Sequence, residues 1–366
     1  MKIFMQTPYQ GEKNIGEYEI SHMDYFNYLS SSRSPKDILR LGISGSKLFA
    51  KLRNPEYLHR LYLEKNQEYM RYLDEFKEKF TGYDVLVMNP GVDLVHPEFL
   101  IENFPDTLKC LHFVDDPHST YSYCFPFSWA FDCATYISPS YNESFHMKEI
   151  LEISGFKNTK WFPLCNSNIS NPLYSIEELE RQLETRLNKI IYVGNYYKDK
   201  NPRIRDLKKT FKDKLDIFGH YPLRGHFYWI DSILKSRPSM YKVGKVSDAT
   251  REKLYAQYSI ALNLHLSQPS LETGNARLYE VAYRGLAQVA DTSEFSKVED
   301  IFVPEKEILL YSNSKECVEQ LQRLIRDPKL RKDIAMASYK RAIKDYKYET
   351  NLLQTLDWFK ELNANL

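Results

Sequence analysis

The chain has 366 residues, a length that divides into two hydrophobic cores more readily than it fills one, and 43% of them are hydrophobic, enough for both. It contains no run of about 18 apolar residues, which excludes a membrane-spanning helix. The net charge of +1 is unevenly placed: residues 1–165 carry 17 Lys/Arg against 22 Asp/Glu, and residues 166–366 carry 33 against 27, so the first half poorly matches a nucleic-acid backbone and the second is the expected home of an anionic ligand.

The N-terminus, Met1-Lys-Ile-Phe-Met-Gln6, turns polar too early for a signal peptide and reads as a first strand. Helices are expected over Ser21–Ser31, Pro35–Leu52 and Glu56–Phe80; in the last, Leu58, Leu61, Tyr62, Tyr69, Tyr72, Leu73, Phe76 and Phe80 recur at helical spacing. Buried strands follow at Tyr83–Asn89, ending in Pro90-Gly91, and at Leu108–Val114, ending in Asp115-Asp116-Pro117. Shorter strands at Thr135–Pro139 and Trp161–Leu164 flank a helix over Asn142–Ile153. Strands separated by helices imply a parallel sheet covered on both faces. Cys165–Pro172 is polar and aperiodic and reads as the linker.

A second alternating series then begins. Its strands are Lys189–Val193 before Gly194, Leu215–Phe218 before Gly219, Tyr241–Val243 before Gly244, Ser259–His265, Leu286–Ala290 before Asp291, and Ile308–Tyr311. Helices lie near Asp206–Phe211, Asp248–Gln257 and Ala276–Arg284, and three more close the chain. The five cysteines, at 110, 124, 133, 165 and 317, are odd in number and lack Cys-x-x-Cys spacing, which points to a reducing, cytoplasmic setting and no zinc site.

In doubly wound sheets, ligands bind at the carboxyl ends of strands. Three segments there carry chemistry. Gly194 opens Asn195-Tyr-Tyr-Lys198-Asp-Lys200-Asn-Pro-Arg203, where a glycine admits a ligand to the backbone and Lys198, Arg203 and a helix start favour phosphate. A single glycine is neither a Gly-x-Gly-x-x-Gly nor a P-loop, and an ordinary strand-to-helix turn fits it too. Glu272-Thr-Gly-Asn275-Ala-Arg277-Leu-Tyr-Glu280 places a cation and an acid on one side of a helix start. They form either a surface ion pair or the diphosphate and ribose contacts of a nucleotide, with Asn275 as helix cap or ligand contact and Glu272 within reach of a transferred group. Asp115 and Asp116 end a buried strand as base, sugar contact, metal ligand, or helix or turn cap. His265, also at a strand end, is a donor contact or a structural histidine.

Together these residues resemble the GT-B glycosyltransferases. The second half resembles the spore-maturation (CgeB-like) group through Ile260–His265, Asn275–Ala287, Asp291 and the tail Arg326–Arg341, over roughly residues 189–350. The resemblance implies two doubly wound Rossmann-like domains facing a cleft: an acceptor-side domain over 1–168, a nucleotide-sugar donor domain over 169–345, and a C-terminal helix, 346–366, crossing back to the first. It assigns the ribose to Glu280, the diphosphate to Arg277 with Arg203 or Lys198, backbone approach to Gly194 and the base to the vicinity of Val243–Val246. Cations and helix N-termini would neutralise the diphosphate, so no metal or other cofactor is required.

Two departures matter. Members of the related family-four group usually follow the first Glu of Glu-x7-Glu with Gly-Phe-Gly, whereas Glu272 precedes Thr-Gly-Asn. Phage DNA β-glucosyltransferase, which inverts, is similar in its strand-end aspartate and its Arg-x-x-Glu. If this chain inverts, Asp115 or Asp116 is the expected base; if it retains, the leaving phosphate takes the proton. The expectation is therefore an enzyme of surface-polysaccharide or glycoconjugate synthesis using a UDP-, GDP-, TDP- or ADP-linked sugar. Its acceptor is a glycan, a lipid-linked group or a protein; peripheral membrane association stays open, and nucleic acid is the weaker partner. A phage-type DNA-base glycosyltransferase, a non-catalytic nucleotide- or sugar-binding module and an epimerase of the same fold are the alternatives.

Overall fold

Two parallel sheets take up the apolar runs. The computed structural model describes residues 1–6, 11–23, 54–88, 95–113, 125–137, 147–163, 173–194, 200–219, 242–243, 246–265, 274–294, 296 and 298–364. The expected helix over Pro35–Leu52, the turn at Pro90-Gly91 and the linker at Cys165–Pro172 lie outside these residues. The chain divides into two compact units: one holds the described residues of 1–163 together with Leu352–Leu366, the other those of 164–351.

The first unit is built on β1 (Lys2–Gln6), β2 (Gly11–Ile15), β3 (Tyr18–Met23), β4 (Val85–Met88), β5 (Leu108–Phe113), β6 (Cys133–Tyr136) and β7 (Thr159–Trp161). Their order is β2-β3-β1-β4-β5-β6-β7, parallel throughout except for the β2–β3 hairpin. That hairpin takes Ser21–Met23 from the helix expected over Ser21–Ser31, whose remaining residues lie outside those described: Tyr18 and Ile20 point inward and Glu19 outward, a period of two that pairs β3 with β1. The central strands are apolar on both faces because both are covered.

The long helix expected over Glu56–Phe80 is two helices, α1 (Pro55–Leu63) and α2 (Gln67–Phe80). Asn54 and Asn66 each cap one, accepting the N–H of Tyr57 and Tyr69, and Lys65 turns the chain with φ of +50°. One side of α2 buries Leu73, Phe76 and Phe80 against Phe4, Leu86 and Leu111 of the sheet. The Phe4 ring lies 4.3 Å from Phe80 and 6.4 Å from Phe76, the latter edge-on. Helix α3 (Pro97–Asn103) lies between β4 and β5, and α4 (Met147–Ile153) between β6 and β7.

The second unit contains α5 (Ile176–Thr185), β8 (Leu187–Val193), α6 (Lys200–Phe211), β9 (Leu215–Gly219), β10 (Lys242–Val243), α7 (Asp248–Gln257), β11 (Tyr258–Asn263), α8 (Ala276–Tyr283), β12 (Ala287–Asp291), β13 (Leu309–Tyr311), α9 (Ser314–Arg326) and α10 (Pro328–Asp345). Its all-parallel sheet runs β10-β9-β8-β11-β12-β13, which within the unit is the Rossmann order 3-2-1-4-5-6. Helix α5 went unanticipated, although Ser175 and Glu178 carry the capping-box spacing and Ser175 Oγ accepts the Glu178 N–H.

The last helix, α11 (Tyr348–Asn363), buries Leu352, Leu356 and Phe359. Its later turns bond to the first unit: Tyr18 Oη donates to Asp357, Lys160 Nζ to the Gln354 carbonyl, and Lys360 pairs with Glu17 at 2.6 Å. Among the described residues no helix is long and apolar enough to cross a membrane.

Phe4→Ala should cost about 3–5 kcal/mol, because it removes a fully buried ring from the α2 contact. Native-state hydrogen exchange should show the β4 and β5 amides losing protection while those of β11 and β12 keep theirs.

Candidate functional site

The polar residues of the second unit gather at the carboxyl ends of β8, β9 and β11. Strand β8 ends at Gly194, whose N–H donates to the Phe218 carbonyl at 2.9 Å. Strand β9 ends at Gly219, at φ of +152°, where a Cβ would sit 1.8 Å from the Gly194 carbonyl oxygen. Only glycine permits that approach. A Cβ on Gly194 would in turn lie 2.7 Å from Tyr192 Oη and 2.8 Å from Arg277 Nη2. Two bare backbones thus border a cavity of 370 Å³ lined also by Val246, Asp248, Arg251, Tyr255, Ala276, Arg277 and Glu280. It lies beside β8, where the strand order reverses between β8 and β11.

Helix α8 supplies the charged side of this cavity. Asn275 is its N-cap, accepting the Leu278 N–H, and also exchanges amide hydrogen bonds with Asn263 at 2.9 and 3.1 Å. Arg277 donates to Asn263 Oδ1 at 3.3 Å and lies over the Tyr192 ring, 5.1 Å from its centre. Glu280, one turn on, pairs with Arg251 of α7 at 3.3 Å, and Arg251 also meets Asp248 at 3.0 Å. Beneath them the buried Arg284 makes a two-pronged pair with Glu252, its Nε 2.7 Å from Oε2, and donates to the Glu280 carbonyl at 2.9 Å. These bonds tie α8 to α7. Tyr255 lies under the Arg284 guanidinium; burial, opposed in part by Arg277, pushes its phenol up to about 12.

A separate network sits at the ends of β11 and β12. His265 is fully buried, and both its backbone N–H and its Nδ1 lie 2.8 Å from Asp291 Oδ1. Arg203 of α6 bonds the other carboxylate oxygen at 3.0 Å and the His265 carbonyl at 2.9 Å, while the buried Lys200 holds the Leu264 carbonyl at 2.7 Å. Burial alone would raise the Asp291 carboxyl, but the hydrogen bonds from His265 and the Arg203 guanidinium outweigh it and hold the group below its ordinary value. An ionised Asp291 accepts only, so Nδ1 carries the proton, and Nε2 is left buried with no partner among the described residues.

The structure therefore brings Gly194, Arg277 and Glu280 together around one cavity. Asn275 sits behind them as a cap, and Arg203 and His265 belong to the Asp291 network. Asp115, Asp116, Lys198 and Glu272 lie outside the described residues. Gly219, Arg251 and Tyr255 went unassigned in the sequence. The strand-end position of Gly219 was visible there, whereas α7 declared itself only as a helix. Among the described residues no group of three His, Cys, Asp or Glu side chains is placed to hold a metal ion.

Residues 201–357 match the family model described as glycosyl transferase-like. Sucrose-phosphate synthase from Thermosynechococcus elongatus superposes with a TM-score of 0.63 at 13% identity, over 100% of this chain and 89% of that one. Anabaena HepE, solved in complex with UDP, gives 0.59 at 12% identity over 98% and 99% of the two chains. The fold is GT-B. A putative UDP-N-acetylglucosamine 2-epimerase from Listeria monocytogenes shares the GT-B arrangement at a TM-score of 0.56 and 10% identity, over 100% and 97% of the chains, so the architecture alone does not fix the reaction. No curated protein matches the chain in sequence.

Gly219→Ala must displace the Gly194 carbonyl and should destabilise the second unit by about 1–3 kcal/mol. Gly155→Ala, also at positive φ but facing open space, is the control in chemical denaturation for backbone strain without collision. Asp291→Asn should cost about 3–5 kcal/mol at pH 7, since it leaves Arg203 and His265 without their carboxylate. Because the folded Asp291 value lies below its ordinary 3.8, its contribution is present above that value and is lost as pH falls through the depressed folded one. The stability gap between the variant and the parent should therefore narrow below pH of about 4, and a constant gap down to pH of about 2 would contradict the assignment.

Proposed function

We propose that the chain is a glycosyltransferase that moves a sugar from a nucleoside diphosphate to a hydroxyl acceptor. The observation that carries this reading is that Arg277 and Glu280, one turn apart on α8, line a cavity bordered by Gly194 and Gly219 at the reversal of a Rossmann sheet. In this reading Glu280 accepts the ribose hydroxyls, because a carboxylate takes two hydrogen bonds at once. Arg277 and the positive end of the α8 dipole meet the diphosphate, and the glycines let the ribose–phosphate backbone lie against the sheet edge. Lys198 is a further cation for the diphosphate. Arg203, bound to Asp291, acts at longer range and holds the start of the β11–α8 connection.

During transfer the bond between the anomeric carbon and the diphosphate oxygen breaks, and a bond to the acceptor oxygen forms. Negative charge grows on the leaving diphosphate, where Arg277 and the helix start stabilise it, so the reading needs no metal. The acceptor proton passes to Asp115 or Asp116 on an inverting course, or to the leaving phosphate on a retaining one. Glu272 would face the transferred sugar, and His265 would support the site through Asp291. The sequence likeness over Ile260–Ala287 favours the spore-maturation (CgeB-like) group within this class, and with it a cytoplasmic role in surface-polysaccharide or glycoconjugate synthesis. HepE was solved with UDP and with UDP-glucose, which makes a uridine donor the first to test.

Calorimetry with UDP, GDP, TDP and ADP should find at least one ligand, and no binding to any would sink the proposal. Arg277→Ala and Glu280→Ala should each weaken that ligand roughly 10- to 100-fold, the range expected for hydrogen bonds to charged groups. An unchanged affinity would refute the roles given to them. The Listeria likeness makes an epimerase the second reading; conversion of the sugar nucleotide without any acceptor would select it.

A further inference from the structure

The cavity contains a charged contact that the donor reading does not use. Arg251 projects from α7, not from α8, yet its Nη2 meets Glu280 Oε1 at 3.3 Å and Asp248 Oδ1 at 3.0 Å. The three side chains form a row, acid–base–acid, across two helices. Asp248 is mostly exposed, whereas Arg251 and Glu280 are about one-fifth exposed. The guanidinium is thus fixed from the solvent side by one carboxylate and holds the other at the cavity wall. Because the contact engages Oε1, it leaves Oε2 for other partners. Arg284, pinned to Glu252, holds the Glu280 backbone in the same place, so the carboxylate is restrained at both ends.

The neighbouring Tyr255 provides a second observation. Its hydroxyl is buried with no hydrogen-bond partner among the described residues, in the fields of Arg277, Glu280, Arg284 and Arg251. A buried hydroxyl lacking a partner is uncommon and calls for an explanation. A ligand oxygen lying between Tyr255 and Glu280 supplies one. A ribose hydroxyl has the required character, since it accepts from the phenol and donates to the carboxylate.

Resting on the donor reading above, we infer that Arg251 is a positioning residue that presents Glu280 to the ribose, and that through it the site distinguishes ribonucleotides from 2′-deoxyribonucleotides. Arg251 does not touch the reacting atoms. Without it, Glu280 swings toward solvent and no longer reads the 2′-hydroxyl. Arg251 bonds the acid assigned to the ribose and comes from a different helix than Arg277, so its effect is expected on the sugar and not on the diphosphate.

The test compares binding of UDP, GDP and ADP with their 2′-deoxy counterparts, and of each diphosphate with its monophosphate. The parent protein should favour the ribonucleotide about tenfold, the scale of one hydrogen bond to a charged group. In Arg251→Ala that preference should fall to about twofold or less, while the ratio of diphosphate to monophosphate affinity stays put. Arg251→Lys, which keeps the cation, should retain more of the preference, and adding Arg251→Ala to Glu280→Gln should lower it no further. A preference unchanged in Arg251→Ala overturns the inference and leaves the donor reading standing. Loss of the diphosphate-to-monophosphate ratio instead would make Arg251 a phosphate contact and also overturns it. If TDP, itself a 2′-deoxynucleotide, is the one diphosphate that binds, the inference falls and the donor reading stands; if no nucleoside diphosphate binds the parent protein, both fall.

Discussion

The cavity at the ends of β8 and β9 depends on a backbone contact. Gly194 and Gly219 end adjacent parallel strands, and a single added carbon on Gly219 would collide with the Gly194 carbonyl. With no side chains there, the ends of β8 and β9 leave a recess that Arg277 and Glu280 border from α8 and Arg251 and Tyr255 from α7. Any larger residue at either glycine fills the recess or moves the arginine. The cavity follows from what the strand ends lack, and its chemistry from what the two helices bring.

Electrostatics then sorts the cations by task. Lys200 and Arg203 bond backbone carbonyls and the Asp291 carboxylate, fixing Leu264 and His265 where β11 ends. Arg284 is buried against Glu252 and joins two helices. Burying such charges is tolerable because each has a partner and additional hydrogen bonds. Arg277 and Arg251 differ from these in bordering the cavity itself. These five cations of the second half thus divide into internal fasteners and cavity residues, a distinction that a net count conceals.

Most of the sheet strands were legible because buried parallel strands are short apolar runs ended by glycine or aspartate. The site was legible in part. Arg277 and Glu280 announced themselves by lying one turn apart at a helix start after a strand. Arg251 did not, because its partner stands twenty-nine positions away on another helix, and no local pattern encodes that meeting. Arg203 looked like a phosphate ligand by composition; only the position of Asp291, at the end of a distant strand, shows what it holds. The β2–β3 hairpin was missed since its inward residues are few, and the break between α1 and α2 because the apolar stripe continues across it while the asparagine cap interrupts only the backbone.

The segment Leu352–Leu366 belongs to the first unit although the entire second unit precedes it in the chain. During synthesis the first sheet must wait for Leu352, Leu356 and Phe359, and for the partners of Tyr18 and Lys160, until more than half of the polypeptide has followed it out of the ribosome. The N-terminal unit is thus encoded first and finished last. Long-range closure of this kind is slow and exposes apolar surface meanwhile. The described residues of the second unit are contiguous in sequence and free of that delay, so the half that carries the Arg277–Glu280 cavity can mature before the half that precedes it.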